Sequence, residues 1–328
     1  MRILFFLLCC GFLFGQEPID VVFTWVDDSD PKWAEKKEEY LRRECPESTE
    51  GTQPFRFRNR GELKYALRSV NDFAPFINHI FIVTDEQRPA WLKEHPKVTI
   101  VPHKDIFLEK KDLPTFNSSA IEANLHRIEG LAEKYIFCND DFFFGKKVCE
   151  DDFFTEDGQI RFFETKAEIP RDLVGWQKRQ SIMKRAWNTT QELRRVYGDD
   201  KEHFFLHHVP YVMRKSLVQD VEQQFPEVFK KVSAAKFRSE DTGRVTCCLV
   251  PYAGFYTGRA KPSQCDCHYF SFRSSVFQDV RHMNKLFKER PKFFCVQDEA
   301  IRIDEEAEEK LLNFFETYFP NPAPWEVQ

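Results

Sequence analysis

The sequence predicts an α/β fold built on a largely parallel sheet. Three observations carry this. Short β-branched apolar runs alternate with helical patterns through the first half of the chain. Two of those runs end in acidic clusters, at Asp27-Asp28-Ser29-Asp30 and at Asn139-Asp140-Asp141. No repeat, low-complexity tract or linker interrupts the pattern, so one compact unit over residues 16–328 is the simplest organisation.

Met1-Arg2 precedes an apolar run from Ile3 to Phe14, then Gly15-Gln16-Glu17-Pro18. Charge, short apolar stretch and small residue fit a secretory signal over residues 1–15, since a bilayer span needs about 20 apolar residues. The alternative is an uncleaved signal anchor, and no later segment has the length to span. Ile19 to Val26 reads as a buried strand and Ala34 to Arg43 as a polar helix. Leu63, Ala66, Leu67 and Val70 recur at helical spacing, and His79 to Thr84 and Lys97 to Val101 read as further strands. Ile121, Leu125, Ile128 and Leu131 mark an amphipathic helix, followed by a short strand from Tyr135 to Cys138. Helical patterns cover Gln177 to Tyr197 and Leu217 to Val232. A Cys-rich, aromatic loop region is expected from Val245 to Phe272.

Composition narrows the chemistry. The 48 basic and 53 acidic residues are interspersed, with no basic run to neutralise a nucleic-acid backbone, which excludes nucleic acid as the expected partner. Only 12 residues are Gly, and they never fall as G-x-G-x-x-G or G-x-x-x-x-G-K-[ST]. A nucleotide would therefore have to be held without a glycine loop. Removing the signal leaves Cys45, Cys138, Cys149, Cys247, Cys248, Cys265, Cys267 and Cys295, an even set for which disulfides are expected in an oxidising compartment. Zinc at Cys265, Cys267 and His268 is disfavoured because C-x-C-H lacks the usual ligand spacing. Asn117-Ser118-Ser119 and Asn188-Thr189-Thr190 satisfy the N-glycosylation rule.

Hard oxygen ligands at strand ends suit Mg²⁺ or Mn²⁺ bridging a diphosphate. Asp140 and Asp141 are the strongest such pair, because they precede Phe142, Phe143 and Phe144, a setting poor for carboxylates without a metal or basic partner. Asp28, Ser29 and Asp30 instead read as a turn and helix cap. Glu122, His126 and Glu129 share one polar helix face, which is as expected of a solvated face. His203, His207 and His208 cluster before Pro210. Lys236 to Asp241 sets Arg238 beside carboxylates, and Gln297-Asp298-Glu299 follows an apolar run or opens a helix.

Taken in order, these blocks resemble the Stealth family of hexose-1-phosphate phosphotransferases. The matching segments are IDVVFTWVDDSDPKW (Ile19 to Trp33), RFRNRGELKYALRSVNDFAPFINHIFIVTDEQRPAWL (Arg56 to Leu92) with LPTFNSSAIEANLHRIEGLAEKYIFCNDDFFFGK (Leu113 to Lys146), HHVPYVMRKSLVQDVEQQFPEVF through FRSEDT (His207 to Thr242), and FFCVQDE (Phe293 to Glu299). The resemblance implies a core like that of metal-dependent GT-A glycosyltransferases. It also implies transfer of a sugar 1-phosphate, such as N-acetylglucosamine 1-phosphate from its UDP donor, to a hydroxyl of a glycan or glycoprotein, with release of UMP. By matching position it implies Trp25, Asp27, Arg60, Glu62 and His126 as substrate-binding residues and Asp140 and Asp141 as metal ligands. His208, Arg238 and Asp298 follow as the catalytic set, with His208 as general acid or base because a histidine's ordinary pKa lies near neutrality. The chain departs from the family pattern at Asp28, Asn124 and Gln297-Asp298-Glu299, and the Asn124 and Glu299 differences bear on metal or donor binding. Two other classes stay open: a glycosyltransferase that releases UDP, and a non-catalytic glycan-binding relative. A Golgi lumenal or secreted location follows from the expected signal. Phe142 to Phe144 and Phe293-Phe294 flank the carboxylates and are expected to form part of a dry wall of the site.

Overall fold

The computed structural model describes residues 17–44, 50–175, 180–198 and 201–327. The expected signal segment, Cys45 and Gln177 lie outside the described residues. The strands are β1 (Ile19–Thr24), β2 (Ile77–Thr84), β3 (Val98–Pro102), β4 (Lys134–Asn139), β5 (Phe142–Phe144), β6 (Ile160–Glu168), β7 (Phe204–Leu206), β8 (Tyr211–Arg214), β9 (Ala260–Ser263), β10 (Cys267–Phe272) and β11 (Phe293–Asp298). The helices are α1 (Pro31–Glu44), α2 (Glu62–Phe73), α3 (His103–Ile106), α4 (Ser118–Glu122), α5 (Ser181–Tyr197), α6 (Lys215–Gln224), α7 (Pro226–Ala234), α8 (Val250–Tyr256), α9 (Val276–Glu289) and α10 (Glu305–Tyr318).

The main sheet runs β3-β2-β1-β4-β8, parallel except for β8. This is the α/β, Rossmann-like core expected from strand–helix alternation. β1 is buried along its whole length, as a central parallel strand requires. Its one charged side chain, Asp20, is satisfied by Asn78 Nδ2 at 2.9 Å and the Ala132 N–H at 2.8 Å. Because β2 and β3 lie on one side of β1 and β4 on the other, the strand order reverses between β1 and β4. A crevice opens there at the carboxyl ends of the strands.

Two smaller sheets flank this core, β10-β11-β5 and β7-β6-β9. The chain passes from the main sheet to the first of these through Asp140-Asp141, the two residues between β4 and β5. The three phenylalanines of β5 are fully buried. Phe143 stacks on Phe294, Phe315 and Phe319 at 4.9, 5.0 and 5.7 Å. Gly145, next along, lies so close to the Pro291 carbonyl that a Cβ would sit 2.3 Å from it, so only glycine fits.

Several sequence expectations change. The helix from Ile121 to Leu131 stops at Glu122 and resumes only as a 3₁₀ turn at Leu125–Arg127. Asn124 is the cause: its side chain donates to the Ala120 carbonyl, the acceptor its own backbone N–H would need, and that N–H turns to Ile121. Leu217 to Val232 is two helices, α6 and α7, broken where Pro226 opens the second. The expected loop from Val245 to Phe272 holds α8, β9 and β10. The expected disulfides are also absent among the described residues, where Cys138, Cys149, Cys247, Cys248, Cys265, Cys267 and Cys295 are all free thiols. Cys138 and Cys295 are instead buried strand residues in the apolar core.

The C-terminal segment is pinned onto α2. Arg68 donates Nε and Nη2 to Glu326 at 2.7 and 2.6 Å and Nη1 to the Phe319 carbonyl at 2.8 Å. Both side chains of the ion pair are buried, so removing one strands the other's charge away from water. Glu326→Ala should lower the unfolding free energy in urea by roughly 3–5 kcal/mol. The double replacement Arg68→Met/Glu326→Leu should cost much less, because no charge is left buried.

Candidate active site

The crevice between β1 and β4 opens into a cavity of about 680 Å³. Register pairs Thr24 with Asn139, so Trp25 and Asp140 leave neighbouring strands at the same level, and both line the cavity. Glu62 joins them from the start of α2. Gly61 precedes it in the left-handed region, φ 85°, which turns the chain into the helix, and the Arg60 N–H donates to Glu62 Oε2 at 2.7 Å.

Glu62, Asp140 and Asp141 form one crowded acidic pole. Burial, then the nearby Asp140, pushes Glu62 well above the usual carboxylate range. Burial and Asp141 raise Asp140, and burial and Glu62 raise Asp141. Asp141 Oδ1 is buried without a hydrogen-bond partner. Its other oxygen accepts from the Cys295 thiol at 3.5 Å.

Arg56, Arg185, Arg238 and Arg244 line the same cavity. Arg238 donates to Ser118 Oγ at 2.7 Å and Arg185 to Ser119 Oγ at 2.6 Å, so both make hydroxyl contacts. Burial and then the like charges of Arg56 and Arg185 bring the Arg238 guanidinium down to about 10. Four guanidinium groups on one wall give the cavity a positive side suited to an anion.

His208 lies beside both poles. Its ring meets the edge of Phe142 at 4.7 Å, and Nδ1 is 3.2 Å from the Tyr211 hydroxyl. Burial, then Arg244, Arg238 and Arg56, drives its pKa down to about 3. The near-neutral value expected from the sequence is thereby corrected: the resting imidazole is neutral.

Of the residues singled out in the sequence, Trp25, Glu62, Asp140, Asp141, His208, Arg238 and Asp298 line this cavity. Asp27, Arg60 and His126 do not. Asp27 accepts from the Ser29 N–H and hydroxyl at 3.0 and 2.7 Å, closing a turn. Asp30 caps the start of α1 through the Lys32 N–H, as a turn reading predicts. His126 is buried elsewhere, bonded to Glu222 at 2.9 Å and set edge-on to Phe229. Asp298 holds Arg58 and Arg60 at 3.0 Å each, and Arg60 also pairs with Glu308. Its carboxylate holds both arginines in place.

Asn117 does not serve as a glycan acceptor in the fold: it is fully buried, caps α4 by accepting from the Ser119 N–H, and donates to the Ala235 carbonyl. Asn188 lies within α5 and donates to the Glu240 carbonyl at 3.0 Å. Sequence reasoning missed Arg56, Arg58, Arg185, Arg244 and Tyr269. The alternation Arg56-Phe57-Arg58-Asn59-Arg60 was a usable signal for the first two; the others come from segments distant in sequence.

A divalent cation fits this pole. The test is Asp141 Oδ1, a buried oxygen lacking a partner, within a group in which Asp141, His208 and Cys295 bring ligand atoms within 4.8 Å of one another. Carboxylate oxygens are the ligands that Mg²⁺ or Mn²⁺ takes. The Cys295 thiol is held protonated by burial and by Asp141, so it serves Asp141 as a hydrogen-bond donor.

Four stretches match the models of Stealth protein conserved regions: region 1 over residues 17–45, region 2 over 56–162, region 3 over 207–242 and region 4 over 284–328. An exopolysaccharide phosphotransferase of Streptomyces coelicolor is 35% identical over 326 residues, covering 94% of this chain and 52% of its own length. Exopolysaccharide phosphotransferase CpsY of Mycobacterium tuberculosis is 38% identical over 311 residues, covering 94% and 58%. The chain thus spans little more than half the length of these curated relatives. A galactosyltransferase LgtC, solved in complex with donor and acceptor sugar analogues, superposes with a TM-score of 0.44 at 12% identity over 91% of this chain and 95% of that one.

The raised carboxylates make metal-free stability fall with pH. An acid whose folded pKa lies above its unfolded value binds more protons folded than unfolded, so stability is lost as pH rises between the two. In chelator, the urea midpoint should drop from about pH 5 to about pH 8, and Glu62→Gln should flatten that slope.

Proposed function

Since the chain belongs to the Stealth family, we propose that it is a phosphotransferase. It moves a sugar 1-phosphate from a nucleoside-diphosphate sugar to a hydroxyl of a glycan or glycoprotein. The observation that carries this is the pairing of an arginine wall with an acidic pole in one cavity. A diphosphate needs charge stabilisation along its length, and phosphoryl transfer is governed by positioning and electrostatics. The names of the relatives, exopolysaccharide phosphotransferases, support the same reaction class.

In this reading the acceptor oxygen attacks the phosphorus that carries the sugar. The bond from that phosphorus to the bridging oxygen breaks, and its electron pair leaves on the nucleoside monophosphate. Arg238, with Arg56, Arg185 and Arg244, binds the diphosphate oxygens and takes up the charge that grows there. Asp140, Asp141 and Glu62 would hold Mg²⁺ or Mn²⁺, which would supply further neutralisation of the diphosphate. His208 takes the acceptor proton. Burial is the first cause of its low proton affinity and Arg244, Arg238 and Arg56 the next, so a bound diphosphate that neutralises those arginines removes the electrostatic part of the depression. Phe142 walls the histidine on one side and keeps water from it. The donor is UDP-N-acetylglucosamine, and the location is the secretory lumen or outside the cell. Among the described residues, no helix is long and apolar enough to cross a membrane.

The product reports the reaction. Incubation with UDP-N-acetylglucosamine, Mn²⁺ and a panel of oligosaccharide acceptors should release UMP, measured by ion-exchange chromatography. Release of UDP would assign a glycosyltransferase, and donor binding without turnover a non-catalytic relative. Arg238→Ala should lower kcat by about 10²–10³-fold. Arg238→Lys should recover only part, because an ammonium cannot reproduce the planar fork.

A further inference from the structure

We propose that Tyr269 is the seat of the acceptor: a rigid aromatic platform for a pyranose ring at the mouth of the cavity. The inference rests on the phosphotransfer reading and adds the side of the cavity from which the acceptor enters.

The second sheet fixes the geometry. β10 and β11 run parallel, with Tyr269 opposite Cys295 and Ser271 opposite Gln297. In-register partners of a parallel pair share a face, so Cys267, Tyr269, Ser271, Cys295 and Gln297 form one side of this sheet. The other side carries Phe270, stacked on His282 of α9 at 5.2 Å. The Tyr269 side faces the reaction centre: Cys295 reaches Asp141 at 3.5 Å, and His208 meets the Tyr269 ring at 6.1 Å and 73°. Adjacent strands are about 4.8 Å apart, so Tyr269 sits one strand away from the residue that touches Asp141.

Tyr269 is also held still. Its hydroxyl bonds Gln297 at 3.1 Å and Ser271 at 3.2 Å, while 41% of the residue stays exposed. An aromatic ring fixed at both ends and open to solvent is otherwise an unfavourable surface, and a pyranose presents apolar C–H faces that would cover it. The rim beside it is polar and directional: Gln297 contacts Glu299, and Glu299 pairs with Arg273 at 3.1 Å. Such planar side chains suit sugar hydroxyls, which both donate and accept. A ring seated there brings an acceptor hydroxyl toward His208 and Asp141.

Saturation-transfer NMR with methyl glycosides of glucose, mannose, galactose and N-acetylglucosamine tests this without requiring turnover. At least one glycoside should show transfer to its ring C–H protons in the wild-type protein. Tyr269→Phe, which keeps the ring, should retain it, and Tyr269→Ala should lose it by 10-fold or more. UDP-N-acetylglucosamine signals should stay within about 2-fold in all three proteins, with matching circular dichroism spectra. No glycoside binding to the wild type, an undiminished signal in Tyr269→Ala, or an equal loss of donor and glycoside would overturn the platform. Failure to release UMP in the earlier assay, with glycoside binding intact, would instead overturn the phosphotransfer reading alone.

Discussion

Everything about this molecule turns on three carboxylates held closer together than their charges favour. Glu62, Asp140 and Asp141 crowd the crevice where strand order reverses, and each raises the proton affinity of another. The fold accepts that cost by construction. Asp140-Asp141 is the crossing between two sheets, and β5 behind it is locked by stacked phenylalanines. Moving the acids apart would mean unpacking that aromatic core, so the repulsion persists until a cation or a proton relieves it.

The same constraint explains what stands in for a glycine loop. A chain with few glycines has no run of backbone N–H groups to wrap a diphosphate, and here side chains carry that function. Arginines from three segments line one cavity, and Ser118 and Ser119 of α4 orient two of them. Asp298, on the same cavity, fixes Arg58 and Arg60.

The parallel core was legible because its signals are local: β1, β2 and β4 are continuous apolar runs, and their acidic ends mark the crevice. Asp140 and Asp141 were legible for the same reason, since the Phe run beside them made solvated acids implausible. Asp27 and His126 lie off the cavity, because position within a motif does not say where a side chain ends up. One closes a turn and the other packs against Glu222. The pKa of His208 was illegible, since the burial that chiefly lowers it and the arginines that add to this are set by segments far away in sequence. The cysteine count misled too: parity says nothing about whether thiols sit in strands facing a core, as Cys138 and Cys295 do.

In the proposed reaction, phosphorus rather than the anomeric carbon is the centre attacked, so the bond between the sugar and its oxygen is never broken. Donor labelled with oxygen-18 at the oxygen joining the anomeric carbon to phosphorus tests this directly. Mass spectrometry of the product should find the label retained in a sugar phosphodiester on the acceptor. Label recovered in a released nucleoside diphosphate, with an unphosphorylated glycosidic bond on the acceptor, would contradict the account.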